Sequence, residues 1–156
     1  MVETSALKDA YLVAGLKEEQ IAQIAAIATV NSYQSGEALT RIGEPSASLF
    51  IVLSGSVRVT THDGDLLGEV GTNSVVGEMG LVDALPANAN STCIGPVCAA
   101  VISMAELRRI MSQNREWGFV ILSNVSRVMA ARLRQTNARI DELADLATEP
   151  WAHAMG

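Results

Sequence analysis

Turn-forming residues punctuate the middle of this chain at short intervals, and that spacing constrains its fold more than any other feature. Turn signals occur at residues 35–36, 43–46, 54–55 and 62–65. The last of them contains an Asp-Gly pair, which accepts the positive φ angles of a primed hairpin turn. Short strands separated by turns roughly every eight to twelve residues are typical of a β-sandwich or barrel. We therefore predict a mainly β domain with its roll at about residues 30–103.

The segments between the turns have the apolar patterns of strands. Val57 and Val59, for example, alternate with polar neighbours, as in a strand that buries one face. Residues 54–55 are expected to form a tight turn between two strands, and residues 95–96 to hinge a further pair. The predicted strands cover residues 38–42, 49–53, 56–60, 66–70 and both halves of 92–102.

Helices are predicted on both sides of the roll. From Leu16 to Ala28 apolar residues recur at helical spacing, and the acidic first turn suits the helix dipole. Another helical pattern begins at Ala105. The last helix, at about residues 115–147, would be roughly 45 Å long at ~1.5 Å per residue, which is longer than one small roll can cover.

Two interleaved seven-residue series run along this last helix. The first series is Leu122, Met129, Thr136 and Leu143, and the second is Leu133, Ile140 and Ala147. Ser126 and Thr136 are weaker, polar points of the pattern. Such a seam predicts a parallel two-stranded dimer. A single helix that packs on its own domain is the alternative, and the length and the two series favour the homodimer.

Composition and charge argue against several classes of protein. The 156 residues suffice for one ordinary domain with an extended helix, and 49% of them are hydrophobic. The net charge of −6 disfavours binding of the whole molecule to DNA or RNA. Four Arg residues within 127–139 form a local basic patch, but such a helix face is more often simply solvated. The sequence contains neither a signal peptide nor an apolar run of ~18 residues. We expect a soluble cytoplasmic protein that has no membrane contact.

The sequence offers few side chains for metal binding or catalysis. Cys93 and Cys98 are too few for a disulfide framework and lack metal-ligand spacing, so two buried free thiols are expected. His62 and His153 are the only histidines, which is too few for a cupin-type metal site. No nucleophile elbow or Walker loop occurs in the sequence. We expect no enzyme activity, and a redox sensor acting through the thiols is the weakest alternative.

The order of these elements resembles the sensor domain of the catabolite activator and FNR family, within the wider family of cyclic-nucleotide-binding domains. Residues 49–59 carry the most specific likeness, and residues 75–81 resemble the start of the family's phosphate-binding cassette. Residues 11–16 and 36–45 resemble its opening turn and first roll turns. The resemblance covers nearly the whole chain. It implies a single domain over residues 1–156, an eight-stranded jelly roll (a double-stranded β-helix) with flanking helices and a long C-terminal dimerisation helix.

The resemblance also implies a ligand, cyclic AMP or cyclic GMP, and candidate binding residues. The glycine that corresponds to Gly77 lets its backbone approach the ligand, and the glutamate that corresponds to Glu78 accepts a hydrogen bond from a ribose hydroxyl. A short helix that begins near Met79 directs its amide groups at the cyclic phosphate. Each residue has a structural alternative. Gly77 could serve a tight turn, and Glu78 could cap the short helix or pair with Arg132.

The sequence departs from the family at the phosphate ligand, which is normally an Arg followed by a small residue. One register places Ala87 and Asn88 at these two positions, and the other places Asn88 and Ala89 there. No Lys or Arg occurs between Arg58 and Arg108. A hydrogen bond to a charged group contributes ~1.5–3 kcal/mol, so its loss weakens binding by roughly one to two decades. Asn88 or Asn90 could donate an uncharged amide hydrogen bond, or the run could be only a polar loop.

Two further candidates lie on the last helix. Thr136 and Asn137 fall on the positions that contact the purine in the catabolite activator, by resemblance. Thr136 has an equally good explanation as a polar heptad residue that fixes the register of a dimer.

These observations lead to two hypotheses about function. The chain ends soon after Leu146, without the several tens of residues that a helix-turn-helix domain needs, so direct DNA binding is not expected. The first hypothesis is a stand-alone regulatory sensor module in signal transduction, with altered or weak cyclic-nucleotide binding. The alternative is a ligand-free dimeric scaffold with a degenerate pocket that binds a protein partner.

Overall fold

The computed structural model describes residues 2–155, and the side chains of residues 2–146. A 3-10 turn at Tyr11–Val13 lies between the first two helices. The helices are α1 (Thr4–Leu7), α2 (Glu18–Ala26), α3 (Met79–Asp83), α4 (Met104–Gln113) and α5 (Arg115–Met155). The strands are β1 (Ala28–Tyr33), β2 (Ala38–Thr40), β3 (Ser48–Thr60), β4 (Leu66–Val70), β5 (Val75–Val76) and β6 (Asn90–Ser103).

The described residues form six strands in one antiparallel sheet, which confirms the mainly β fold. The order is β1-β6-β3-β4, while β2 pairs with β6 and β5 with β3. Strands β3 and β6 are long and pair from Ser48 opposite Ser103 to Thr60 opposite Asn90. The sheet has six strands rather than eight because residues 54–55 and 95–96 do not turn. They lie inside continuous strands, and the β3–β6 register shifts on both sides of Ser54.

Gly55 shows why this part of β3 bulges without turning. Its φ is +95°, and a Cβ there would collide with the carbonyl oxygen of Pro96 on the paired strand. Glycine permits both the positive φ and the close approach of the two backbones. The local sequence has the composition of a turn, but the pairing of two long strands keeps the chain extended.

The β3–β4 hairpin lies at the predicted position, with Thr60 opposite Leu66. The backbone N–H of Thr61 donates to the carbonyl of Asp65 at 2.9 Å, and that of Gly64 donates to the carbonyl of Thr61 at 3.0 Å. Within this described loop only Gly64 has a positive φ, +86°. A primed two-residue turn needs a positive φ at its first central residue as well, so that prediction was wrong.

The core is aliphatic, and its centre is β3. Residues 49–52 are all buried, so both faces of this part of the strand are covered. Tyr33 and Phe50 add an edge-to-face ring pair with centroids 6.4 Å apart. The large side chains with almost no exposure include Leu7, Leu12, Ile24, Leu49, Ile51, Ile102, Met104, Leu107 and Ile121. Burial of each such side chain contributes about 1.5–3 kcal/mol.

The N-terminal helices end where the sheet begins. Helix α2 is closed at its start by a hydrogen bond of 2.9 Å from the backbone N–H of Lys17 to Oε1 of Gln20. It ends at Ala26, because Ala28 already pairs with Ile102 in the sheet. The helical period predicted through Ala28 was therefore two residues too long. Helix α1 was not predicted, whereas the 3-10 turn lies within residues 11–16, which resemble the family's opening turn.

The chain divides into two compact units, residues up to Val125 and residues from Ser126 onward. The first turns of α5 belong to the first unit, where Trp117, Ile121 and Val125 are buried. Asn124 is only 6% exposed, and its Nδ2 donates to the carbonyls of Leu12 and Ala14, both at 2.9 Å. One face of this part of α5 is therefore held on the N-terminal segment.

Candidate ligand-binding cassette

The cassette begins with Gly77, which follows β5. Its φ is +90°, and a Cβ there would lie 3.1 Å from the carbonyl oxygen of Ser48. A larger residue would be strained in its backbone and crowded against β3. Gly77 therefore has a structural role whether or not a ligand approaches it.

Glu78 follows Gly77 and is buried, with 3% of its surface exposed. It occupies the N-cap position of α3, but its side chain accepts no capping hydrogen bond from the described N–H groups of that helix. The helix-cap alternative for Glu78 was therefore wrong. The sequence could propose Glu78 as a site residue, but only the structure shows that its side chain is buried at the start of the cassette.

Helix α3 is one short turn of five residues, and half-exposed Met79 begins it. The helix closes at Ala84, which has a left-handed φ of +57° and whose N–H donates to the carbonyl of Gly80 at 3.0 Å. The same carbonyl accepts a hydrogen bond from the guanidinium of Arg108 on α4. Arg108 therefore ties α4 to Gly80, the second residue of α3.

The segment after α3 is fastened to the chain between β2 and β3. The N–H of Gly43 donates to Ala87 at 2.9 Å, and the N–H of Ala87 donates to Glu44 at 3.0 Å. The Oδ1 of Asn90 accepts from the N–H of Ile42 at 3.0 Å. We call residues 84–90, with these bonds, the clasped loop. Asn90 is consequently a structural tie.

Within the clasped loop, the two candidate phosphate ligands differ in environment. Asn88 is exposed, whereas Ala89 is half-buried. The carbonyl of Ala89 accepts a hydrogen bond from Oγ1 of Thr40 at 3.2 Å, and the same hydroxyl lies 2.8 Å from Oγ of Ser91. Asn88 is thus the member of the pair whose side chain can face a solute.

Three arginines that precede or follow the cassette in the sequence have described partners. Arg58 pairs with Glu69 at 3.2 Å, and Arg41 lies 3.8 Å from Glu44. Arg108 donates to the carbonyl of Gly80 in α3. No Lys or Arg lies between Arg58 and Arg108 in the sequence, so neither Ala87 nor Asn88, the alternatives for the family's phosphate Arg, carries a guanidinium. The chain thus has Glu78 where the resemblance implies a ribose contact, and it lacks the Arg that the resemblance implies for the phosphate.

The two candidates on α5 belong to the second unit. Thr136 and Asn137 are both exposed there. The Thr136 hydroxyl donates to the carbonyl of Arg132 at 3.0 Å, one helical turn earlier. This bond satisfies the hydroxyl within the helix, as is usual for Thr on a helix.

Helix α5 also exposes a series of large apolar side chains. Phe119 is 72% exposed, and Leu133 is 61% exposed. The other exposed members are Leu122, Ile140, Leu143 and Leu146. Phe119 lies three residues before Leu122, so it extends the seven-residue pattern by one position at its start, a signal that the sequence held but that was missed. Ala147 and His153 lie outside the residues whose side chains are described.

The two cysteines are free and differ in burial. Cys93 is buried in the core, and Cys98 is only half-buried, so the expectation of two buried thiols is right for Cys93 alone. Burial raises the pKa of the Cys93 thiol, and the nearby charge of Glu37 raises it further. Among the described residues, no cluster of three metal-ligating side chains occurs. In the same part of the chain, no helix has the length and apolarity to span a membrane.

Comparison with known proteins places this geometry in a family. Residues 30–114 match the family model of the cyclic nucleotide-binding domain. The fold is similar to that of a Geobacter metallireducens protein assigned to cyclic-nucleotide binding, with a TM-score of 0.77 and 24% identity over 85% of this chain and 99% of that one.

Two curated bacterial proteins contain a related stretch. Glutaminase 1 of Bradyrhizobium diazoefficiens is 32% identical over 144 residues, which are 90% of this chain and 23% of that protein. The CRP-like cAMP-activated global transcriptional regulator of Mycobacterium tuberculosis is 31% identical over 118 residues, 73% of this chain and 50% of that protein. The matched stretch thus spans only 23% and 50% of the length of these two relatives. With its fold, its cassette and more than half of its length matched, the chain belongs to the cyclic nucleotide-binding domain family.

Proposed function

We propose that this chain is a regulatory sensor module whose roll binds cyclic AMP or cyclic GMP weakly. The observation that supports this proposal most is that residues 77–90 form the cassette with its short helix, but contain no Lys or Arg for the phosphate. Loss of a charge-assisted bond of ~1.5–3 kcal/mol lowers affinity roughly 10- to 100-fold against a cassette that has the Arg. Candidate ligand contacts are Gly77, Glu78 and Met79, then Asn88 and Ala89, with Thr136 and Asn137 from α5.

The module is proposed to act as a homodimer paired through α5. From Phe119 the spacing alternates between three and four residues through Leu143, as in the a and d positions of a coiled coil. Solvent-exposed apolar side chains along a helix are stabilised when a second helix covers them.

Charge pattern supports parallel rather than antiparallel pairing of the two helices. With Phe119 at position a, Arg132 and Arg139 occupy g positions, while Asn137 and Ala144 occupy e positions. In a parallel pair each g side chain faces an e side chain of the partner, so Arg meets a neutral residue. An antiparallel pair would place Arg against Arg.

The regulatory output is proposed to be a contact with another protein. Both curated relatives are longer proteins that contain the related stretch as a part, which supports a module that works next to another domain or chain. A cytoplasmic location suits the two free thiols, which persist in a reducing compartment. We propose neither catalysis nor direct contact with DNA or a membrane for this module.

Thermal unfolding during titration with cyclic AMP and cyclic GMP tests the sensor proposal. Weak binding predicts an upward shift of the melting temperature only at high micromolar to millimolar nucleotide. A ligand at 100 times its dissociation constant adds ~2.7 kcal/mol of stability. A shift already complete at low micromolar nucleotide would contradict weakened binding.

Sedimentation equilibrium tests the dimer. Leu133→Asp and Ile140→Asp each replace a seam residue that is about 60% exposed. Burial of that fraction contributes ~1–2 kcal/mol per chain, so each variant should weaken the dimer roughly 30-fold or more. Ala131→Asp is the matched control, because Ala131 is exposed on the same helix at an f position away from the seam. Equal dissociation constants for all three variants would refute pairing through this face.

The second candidate function is a ligand-free dimeric scaffold, and the clasped loop favours it. The bonds of Gly43, Ala87 and Asn90 hold the loop through contacts within the chain. A crystal structure grown with millimolar cyclic AMP separates the two functions. Nucleotide density beside Gly77 supports the sensor, whereas the clasped loop without such density supports the scaffold.

A further inference from the structure

We infer that α5 carries a second interaction surface, its outer face, which pairs antiparallel with the same face of another dimer. With Phe119 at position a, the outer face consists of the b, c and f positions, on the side of the helix opposite the a and d seam. The inference goes beyond the proposed function, since it uses side chains that the seam leaves uncovered. The following members of the face are all exposed: Ala131, Arg134, Gln135, Ala138, Asp141, Glu142 and Asp145.

The charges of this part of α5 are separated along the helix. Residues 127–139 contain four Arg and no acidic residue, whereas residues 141–146 contain three acidic residues and neither Lys nor Arg. Arg134 has no acidic residue three or four positions away, where an ion pair within the helix would form. Asp141 and Asp145 are like charges at a spacing of four, which destabilises a single helix. A facing helix that brought the basic and acidic segments together would offset that cost.

An antiparallel pair of outer faces brings these segments together. Position b forms one edge of the face, positions c and g form the other, and a twofold axis across the helices keeps each edge opposite itself. An axis at residues 137–138 places Arg134 opposite Asp141 of the second copy, both at b. The same axis brings Arg132, at g, level with Glu142 of the second copy, at c, to within one residue or ~1.5 Å along the helix. Twofold symmetry repeats both ion pairs.

The centre of the outer face allows the two helices to approach closely. Ala131 and Ala138 occupy its f positions, and each side chain is a single methyl group. Helices pack at axial distances of about 8–10 Å, and small side chains at the contact favour the shorter ones. At that distance the long Arg side chains at the edges reach the carboxylates of the facing helix.

A second copy of the chain fits this face better than a nucleic acid does. The net charge of −6 opposes the approach of a long polyanion to the Arg residues of α5. A second copy supplies carboxylates at the matching spacing. Exposed ion pairs are individually weak and are screened by salt, so the contact is expected to be weak and salt-sensitive. Each dimer has two outer faces, so association can continue beyond four chains.

Sedimentation velocity over a concentration series tests the inference on the full chain. The unaltered chain should exceed the mass of a dimer at ~20 mM salt and return to a dimer at ~500 mM salt, because salt screens exposed charges. Arg134→Glu and Asp141→Arg each turn an attractive pair into a repulsive one, so each should weaken the association of dimers roughly tenfold or more. Arg109→Glu is the matched control, because it makes the same change of charge at an exposed position of α4. It should associate like the unaltered chain.

A mixture of Arg134→Glu and Asp141→Arg gives the sharper comparison. Each variant repels itself, but in the mixture the new carboxylate of one variant lies opposite the new guanidinium of the other. The unaltered Arg134 and Asp141 also lie opposite each other, so the mixture should associate about as well as the unaltered chain. Failure of the mixture to recover association, or equal weakening by Arg109→Glu, overturns the inference.

The outcomes at the two salt concentrations separate this inference from the proposed dimer. Dimers at high salt that associate no further at low salt overturn the inference and leave the seam dimer standing. Monomers at high salt, with association at low salt that the mixture restores, overturn the seam dimer and support the outer face.

Discussion

Replacing Asn124 is expected to destabilise the first unit strongly, because this one side chain joins α5 to the N-terminal segment. Its Nδ2 donates to the carbonyls of Leu12 and Ala14, at 2.9 Å each, and the side chain is buried. The two acceptors are 110 and 112 residues away along the chain. The bonds are therefore tertiary contacts that hold the start of α5 on the N-terminal segment, and they do not depend on local helix propensity.

The size of the stability loss depends on whether each carbonyl, once it has lost its bond to Asn124, is buried or reached by water. Each neutral hydrogen bond contributes about 1 kcal/mol net, and an acceptor that stays buried without a partner costs ~1–3 kcal/mol more. Leu12 is buried, whereas Ala14 is exposed, so water can replace Asn124 only at Ala14. Asn124→Ala should therefore lower the free energy of unfolding by about 2–4 kcal/mol. Small domains have ~5–15 kcal/mol in total, so the loss is easily measured.

Urea denaturation at one fixed protein concentration is the assay, since dimerisation also affects apparent stability. Asn137→Ala is the control, because it makes the same change at an exposed position of the same helix. Its effect should stay below about 0.5 kcal/mol. If Asn124→Ala lost no more stability than Asn137→Ala, the docking role of Asn124 would be refuted.

Asn124→Asp adds a pH test of the same geometry. The new carboxylate would face two carbonyl oxygens in a buried place, so we expect its pKa in the folded state to rise above the ordinary Asp value. A raised folded-state pKa gives stability that is present below the unfolded pKa of ~3.9 and is lost as pH rises through the folded value. The stability of Asn124→Asp relative to Asn124→Ala should therefore fall as pH rises from about 4 to 7. A pH-independent difference would contradict this.

Three other predictions concern single residues. Gly55→Ala should cost at least about 2 kcal/mol in urea denaturation, because it combines a positive φ with a collision at Pro96. Arg108→Ala should cost about 1–3 kcal/mol through its bond to Gly80 of α3, whereas exposed Arg109→Ala should cost under about 0.5 kcal/mol, and equal losses would contradict that bond. Cys93 should resist a thiol reagent until the protein unfolds, because burial and Glu37 raise its pKa. By linkage, its contribution to stability is present below the unfolded pKa of about 8.5 and is lost as pH rises above it, so a variant Cys93→Ala should flatten the alkaline side of the stability curve.

The comparison between sequence and structure depends on which interactions are local. The hairpin at residues 62–65 and the helical periods near α2 and α5 follow from neighbouring residues, and the structure places these elements close to prediction. Gly55 has the local composition of a turn, yet it lies inside a strand. Whether a glycine turns or bulges depends on the strand that pairs with it, and β6 lies some forty residues away in sequence.

The cassette shows the same division. Its position and its missing guanidinium could be read directly, since both are properties of residue identity. The clasped loop could not be predicted, because Asn90 and Ile42 are 48 residues apart and nothing near either one indicates the other. Asn124 was likewise missed, since a polar residue within an apolar helical pattern looks the same whether it meets solvent or a buried carbonyl.

The sequence by itself therefore determined the alternation of strands and turns, the seven-residue pattern of α5 and the lack of a cation between Arg58 and Arg108. These features follow from composition and from spacing along the chain. Only the tertiary structure decided that Glu78 is enclosed, that Asn90 ties the loop while Asn88 faces outward, and that Phe119 is uncovered. Burial and hydrogen-bond partners depend on segments that are distant in the chain, and a contact of that kind leaves no mark in the local pattern.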